Sequence, residues 1–149
     1  MAYHYTESGL DNVYLENGFT VHQTPYGEGL SIKDTEGLHK LIGNWIVSMP
    51  NSINGAELRF LRIEMEMTQR NLAEIIGVEE QAIGRWERAR SRPISGPADR
   101  LLRALYTEYV GGDGSIRRMI ERLVALDSID KPQVRLREKH DRWQVANAA

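Results

Sequence analysis

The feature that most restricts this chain is the pair Gly77-Val78, set between two short stretches of helical periodicity. Before it, Thr68 can cap a helix in which Leu72, Ala73 and Ile76 share one face, and the small Ala73 lets a neighbouring helix come close. Glycine can take the left-handed conformation that ends a helix, and Val78 can plug the corner that follows. After the corner, Ile83 and Trp86 lie three residues apart and turn to the core. Glu80, Gln81, Gly84, Arg85 and Arg88 then fall on the outward face, at offsets of 0, 1, 4, 5 and 8. Two amphipathic helices this short, joined this tightly, have few ways to bury their apolar faces except against each other and a third element.

Such a unit is a helix-turn-helix, whose second helix has an apolar inner face and a polar outer one able to enter a major groove. The charge distribution agrees, although the whole chain carries a net charge of −2. Residues 1–54 hold Lys33 and Lys40 against six carboxylates, a net −4, whereas Gln81 to Arg103 holds six arginines against Glu87 and Asp99, a net +4. A local, all-arginine excess is what phosphates attract, and the acidic end should face away from DNA.

Around this segment the pattern predicts a mainly α fold. Val13-Tyr14-Leu15 and Phe19 to His22 read as strands paired through Asn17-Gly18, Thr24 to Gly29 as a loop, and Leu30 to Lys33 as a third strand. A helix capped by Asp34 or Thr35 carries Leu38, Leu41, Ile42, Trp45 and Ile46 at helical spacing and stops before Pro50. Helices follow at Gly55 to Met65, Gln69 to Ile76, Glu80 to Arg88 and Pro97 to Tyr109. Leu58, Leu61, Met65, Leu101, Leu102 and Leu105 are core positions. After Gly111-Gly112-Asp113-Gly114, Ser115 caps a fifth helix with the stripe Ile116, Met119, Ile120, Leu123 and Leu126, closed by Asp130-Lys131-Pro132. Val134, Leu136, Trp143 and Val145 alternate around Lys139-His140-Asp141, suggesting a terminal hairpin. The expected fold is therefore a five-helix helix-turn-helix domain with a small N-terminal β element plus helix and a C-terminal β-hairpin. Its units are 1–54 for a partner or for dimerisation, 55–110 for DNA, and 111–149 as a further dimerisation candidate. Since the DNA-binding unit has core residues of its own, removing residues 1–50 should leave a fragment that folds.

The series Thr68-Gln69-x-x-Leu72-Ala73-x-x-Ile76-Gly77-Val78-x-x-x-x-Ile83-x-x-Trp86-Glu87 resembles the Xre/phage-repressor class of helix-turn-helix, over about residues 55–109. The resemblance implies that Gln69 contacts a phosphate from the start of its helix, where a helix N-terminus favours anions. It implies base contacts from Glu80, Gln81 and Arg85, with Gly84 among them on the same face, and places Arg88 near the backbone. Thr68, Arg90 and Arg92 complete the expected phosphate set. Glutamine suits adenine, arginine suits guanine O6/N7, and glutamate can accept from cytosine N4. Many relatives pair an arginine and a glutamate at the positions of Arg62 and Glu87, which are read as structural. Ala89 stands where the family often has glycine. Residues 8–54, with Ser8 to Val13 and Thr24 to Gly29, resemble MqsA/YgiT-type antitoxins and regulators. Those usually carry zinc-binding cysteines, and this chain has none.

With 41% hydrophobic and 27% charged residues the composition is that of a soluble globular chain, and no apolar run approaches the roughly 20 residues that span a bilayer. A cytoplasmic protein without membrane contact is expected. Zero cysteines exclude disulfides and thiolate zinc sites. His4, His22, His39 and His140 are dispersed without ligand spacing, the glycine-rich stretches lack the lysine and hydroxyl of a phosphate loop, and no nucleophile-base signature is visible. No enzyme, cofactor or metal is expected. Two functions remain: a transcriptional regulator, most naturally a repressor, bound as a homodimer to a palindromic operator, and an antitoxin that binds a toxin and represses its own operon.

Overall fold

The computed structural model describes residues 2–125, 131 and 133–146; Leu126, Asp130 and Pro132 of the sequence reading lie outside them. In chain order the elements are β1 (Tyr3–His4), a 3-10 turn at Thr6–Ser8, β2 (Tyr14–Leu15), β3 (Phe19–Thr24), β4 (Gly27–Ile32), α1 (Thr35–Ser48), α2 (Gly55–Glu64), α3 (Gln69–Ile76), α4 (Glu80–Arg88), α5 (Gly96–Gly111), α6 (Ser115–Ala125), β5 (Leu136–Lys139) and β6 (Arg142–Val145). Among the described residues, three two-stranded antiparallel pairs, β1-β2, β3-β4 and β5-β6, accompany the helices.

The strand pairing differs from the sequence reading at the N-terminal end. Tyr14-Leu15 pairs with Tyr3-His4, so Asn17-Gly18 is a connection between two sheets and not a hairpin turn. The hairpin turn is Pro25-Tyr26, and Thr24 to Gly29, read as a loop, belongs mostly to β3 and β4. Proline fixes φ at the first turn position, and Thr24 Oγ1 both donates to Gly27 O at 2.6 Å and accepts from Tyr26 N–H at 3.2 Å. Phe19, Leu30 and Ile32 anchor this hairpin to the core.

The helices start where local chemistry supplies acceptors. Asp34 accepts from Gly37 N, Asn54 and Glu57 form a reciprocal capping box, and Thr68 and Ser95 accept from Asn71 N and Ala98 N. Ser115 is not a cap: it lies inside α6, and Asp113 Oδ1 accepts its N–H at 3.0 Å. Gly77, at φ 86°, ends α3 in the left-handed region.

One core runs through the described residues. Leu58, Leu61, Met65, Leu72, Ile83, Leu102 and Tyr106 are almost wholly buried, and Tyr5, Leu10, Leu15, Ile42 and Ile46 belong to the same cluster. The boundary at residue 54 is thus one of pattern and charge, and the packing of the core crosses it. Backbone and side chains stitch across it as well. Arg103 donates to Val47 O, Met49 O and Asn51 O, and its Nε donates to Asp99 Oδ1 at 2.6 Å. Asp99 Oδ2 in turn accepts Ile53 N–H at 2.7 Å. Burial pushes the Asp99 carboxyl up, but these hydrogen bonds and the charges of Arg103 and Arg100 outweigh it and hold it below the usual range. Two members of the α1 apolar set depart from the core: Leu41 is 67% and Trp45 48% exposed.

Candidate nucleic-acid interface

The geometry of α4 follows from what lies beneath it. Ala82, Ile83, Gly84 and Glu87 are buried, and Trp86 packs against the core, so one side of a nine-residue helix faces α2 and α3. The approach of α2 is close: a Cβ on Gly55 would stand 1.8 Å from Trp86 O, so only glycine fits there. The segment leaving α4 is held against the start of α2, with Gly55 N donating to Arg92 O at 3.2 Å and Ala56 N to Arg90 O at 3.0 Å. Ala89 ends α4 at φ −85°, a conformation open to any residue, and the glycine common in similar sequences is not needed.

The Glu87 carboxylate is the hub of this packing. Arg62 donates to it through Nε at 2.7 Å and Nη2 at 3.0 Å, and Gln69 Nε2 donates at 3.1 Å. Arg62 Nη1 also donates to Met67 O at 2.9 Å, so one guanidinium fixes the α2–α3 connection to the end of α4. The Arg62 and Glu87 side chains are 13% and 6% exposed, which makes this a desolvated, bidentate pair.

On the opposite face, Glu80, Gln81, Arg85 and Arg88 are exposed, as their offsets require. Gly84 is the exception: it is buried, with Arg88 Nη1 and Gln69 Oε1 3.2 and 3.8 Å from where its Cβ would be. The long side chains of its neighbours cover a residue that has none. Thr68 and Gln69 sit at the start of α3, where the Thr68 hydroxyl oxygen caps the helix and Gln69 is bound to Glu87. Of the six arginines between residues 81 and 103, Arg85, Arg88, Arg92 and Arg100 carry no side-chain hydrogen bond or ion pair among the described residues. Arg90, expected on a phosphate, is engaged within the chain: its Nη2 donates to Gly9 O at 2.9 Å and to Asp11 Oδ1 at 3.2 Å. Arg103 is enclosed in the clamp on residues 47–51. By charge count alone both belong to the same positive stretch as their neighbours. The Asp99-Arg103 spacing of i,i+4 on a helix was the available signal for that clamp.

A second polar chain lies behind α2, where Tyr5 OH is 2.7 Å from His39 Nε2 and His39 Nδ1 is 2.8 Å from Glu64 Oε1. It joins the segment after β1 to α1 and α2 and contributes nothing to the exposed face of α4. No helix of the described residues is long and apolar enough to cross a membrane, and among those residues no group of three His, Cys, Asp or Glu side chains could hold a metal ion.

Two short helices, a left-handed glycine corner and a polar outer face on the second helix define a helix-turn-helix. Residues 58–105 match the family model described as Helix-turn-helix, and this segment is a helix-turn-helix of the Xre-like type, a DNA-binding class of domain found in transcriptional regulators. No curated protein and no solved structure gives a significant match.

Proposed function

We propose that this protein is a sequence-specific, double-stranded DNA-binding transcriptional repressor that reads a major groove with α4. The observation that carries the reading is the division of α4 into a face locked by Ile83, Trp86 and Glu87 and a face on which Glu80, Gln81, Arg85 and Arg88 stand exposed. Arg85 binds guanine O6/N7, Gln81 an adenine edge, and Glu80 accepts from a cytosine amino group. Gly84 gives no side chain to this surface; its missing Cβ lets Arg88 and Gln69 lie across the helix. Thr68, Gln69, Arg88 and Arg92 position the helix on the phosphates, with the backbone N–H groups at the start of α3 adding to them. Arg90 instead holds the N-terminal loop in place.

The protein acts as a homodimer on a palindromic operator, because one helix of this length covers only a few base pairs. The exposed stripe of α6, with Ile116, Met119, Leu123 and Val124 each 38–59% exposed, supports a self-association face there. Selection of bound duplexes from a random pool tests the reading: two inverted half-sites about one helical turn apart are expected, and recovery of no common sequence would count against it. The antitoxin reading has one observation in its favour. A groove of about 270 Å³ between β2 and α1 is lined by Val13, Tyr14, Leu41 and Trp45 and offers an apolar surface to a protein partner.

A further inference from the structure

The terminal hairpin separates its chemistry by face. Cross-strand partners share a side of the ribbon, and so do residues two apart along a strand. The pairs Leu136↔Val145 and Glu138↔Trp143 therefore lie on one face, and Arg137↔Gln144 and Lys139↔Arg142 on the other. Three cations occupy the second face with no carboxylate among them. None of the three forms a side-chain hydrogen bond or ion pair among the described residues, unlike Arg62, Arg90, Arg103 and Arg117, which are all engaged. The turn residues His140 and Asp141 have φ of 54° and 61°, as a tight two-residue hairpin requires, so the alternation of faces is fixed by the turn.

An isolated two-stranded hairpin is marginal in water. Every residue of β5 and β6 is exposed, so this one depends on what it meets. Residues 131–146 carry five cations against Glu138 and Asp141, a net +3, which selects a polyanion. Within the chain the acidic N-terminal part offers few open carboxylates. Glu7 is bonded to Tyr3, Asp11 to Arg90, Glu28 to Gln23, and Asp34 caps α1. We propose that the β5-β6 hairpin is a second DNA-binding element, which lays Arg137, Lys139 and Arg142 against phosphates of the duplex bound by α4. This rests on the reading that α4 binds DNA. The hairpin adds affinity and salt dependence but no base preference, because a phosphate carries no sequence information.

The test is a set of anisotropy titrations of a labelled duplex bearing the selected site, and of a scrambled duplex of equal length, across a series of KCl concentrations. The proteins are the full chain, the triple variant Arg137→Gln/Lys139→Gln/Arg142→Gln, and the double variant Arg137→Lys/Arg142→Lys. Each cation on a phosphate contributes about 0.9 to the slope of log K against log salt. The triple variant should lose about 2 to 3 from that slope per bound protomer and weaken both duplexes by the same factor, while the lysine variant should keep the full-chain slope. An unchanged slope in the triple variant, with the full chain still binding, overturns the hairpin proposal alone. So does a slope unchanged on DNA combined with a weaker dimer in sedimentation, which would assign the basic face to a second copy of the chain. A full chain that binds neither duplex overturns the α4 reading and the hairpin proposal together.

Discussion

Replacing Glu87 by alanine should strongly destabilise the DNA-binding unit, before any contact with DNA is considered. The carboxylate is 6% exposed and receives hydrogen bonds from Arg62 Nε, Arg62 Nη2 and Gln69 Nε2. Its loss leaves the Arg62 guanidinium, itself 13% exposed, without a counter-charge in a desolvated place. Breaking one partner of a buried pair costs about 3–5 kcal/mol, because the remaining charge is uncompensated. For a chain of this size that is a fall in Tm of roughly 9–15 °C, taking about 3 °C per kcal/mol. It is also a large share of the ~5–15 kcal/mol that holds such a domain together. Urea unfolding followed by far-UV circular dichroism, with Tm from the same samples, measures both. The double variant Arg62→Met/Glu87→Leu separates charge from packing: it removes the pair and keeps apolar volume, so most of the lost stability should return. A Glu87→Ala loss below about 1 kcal/mol, or a double variant no more stable than Glu87→Ala, would refute the desolvated-pair account.

Gly55→Ala should destabilise by about 1–3 kcal/mol and weaken DNA binding by displacing α4, because the new methyl would meet Trp86 O; urea midpoints and duplex titrations report the two effects. Asp99→Asn should flatten the acid limb of the stability curve. With a folded pKa below the usual 3.8, Asp99 contributes stability that is present above that value and lost as pH falls through the folded one. Urea midpoints from neutral pH down to about 2 for the two proteins should therefore differ most at neutral pH and converge at the acid end. Deleting residues 1–50 should yield a chain with no cooperative thermal transition. It removes Tyr5, Leu10, Leu15, Ile42 and Ile46 from the core, each worth about 1.5–3 kcal/mol on burial.

The α3-α4 helix pair was legible in the sequence because every signal for it is local. Thr68 caps, the apolar positions of α3 and α4 repeat at helical spacing, and Gly77 ends α3 in a conformation other residues avoid, so both helix boundaries follow from the sequence. Pairing of the N-terminal strands was not legible. Asn17-Gly18 has hairpin chemistry, but Tyr14-Leu15 contributes only two residues to a ladder, and its partner is set by burying Tyr5, Leu10 and Leu15 together. Charge counting also failed locally: Arg90 and Arg103 look like their neighbours in sequence, yet tertiary contacts enclose one in a carbonyl clamp and tie the other to Asp11. Gly84 shows the converse. Helical spacing sets it on the outward face, and the side chains of Arg88 and Gln69 then cover it.

If the outer face of α4 reads bases, titration of Arg85→Ala on matched and randomised duplexes at one fixed salt concentration separates base contact from phosphate contact. A bidentate contact to guanine predicts a loss of about 1–3 kcal/mol on the matched duplex, little change on the randomised one, and relaxed preference at a single base pair of each half-site. Gln69→Ala, measured alongside, should weaken both duplexes alike through a lost phosphate contact. Equal losses on both duplexes for Arg85→Ala would contradict base contact and leave Arg85 as one more phosphate contact.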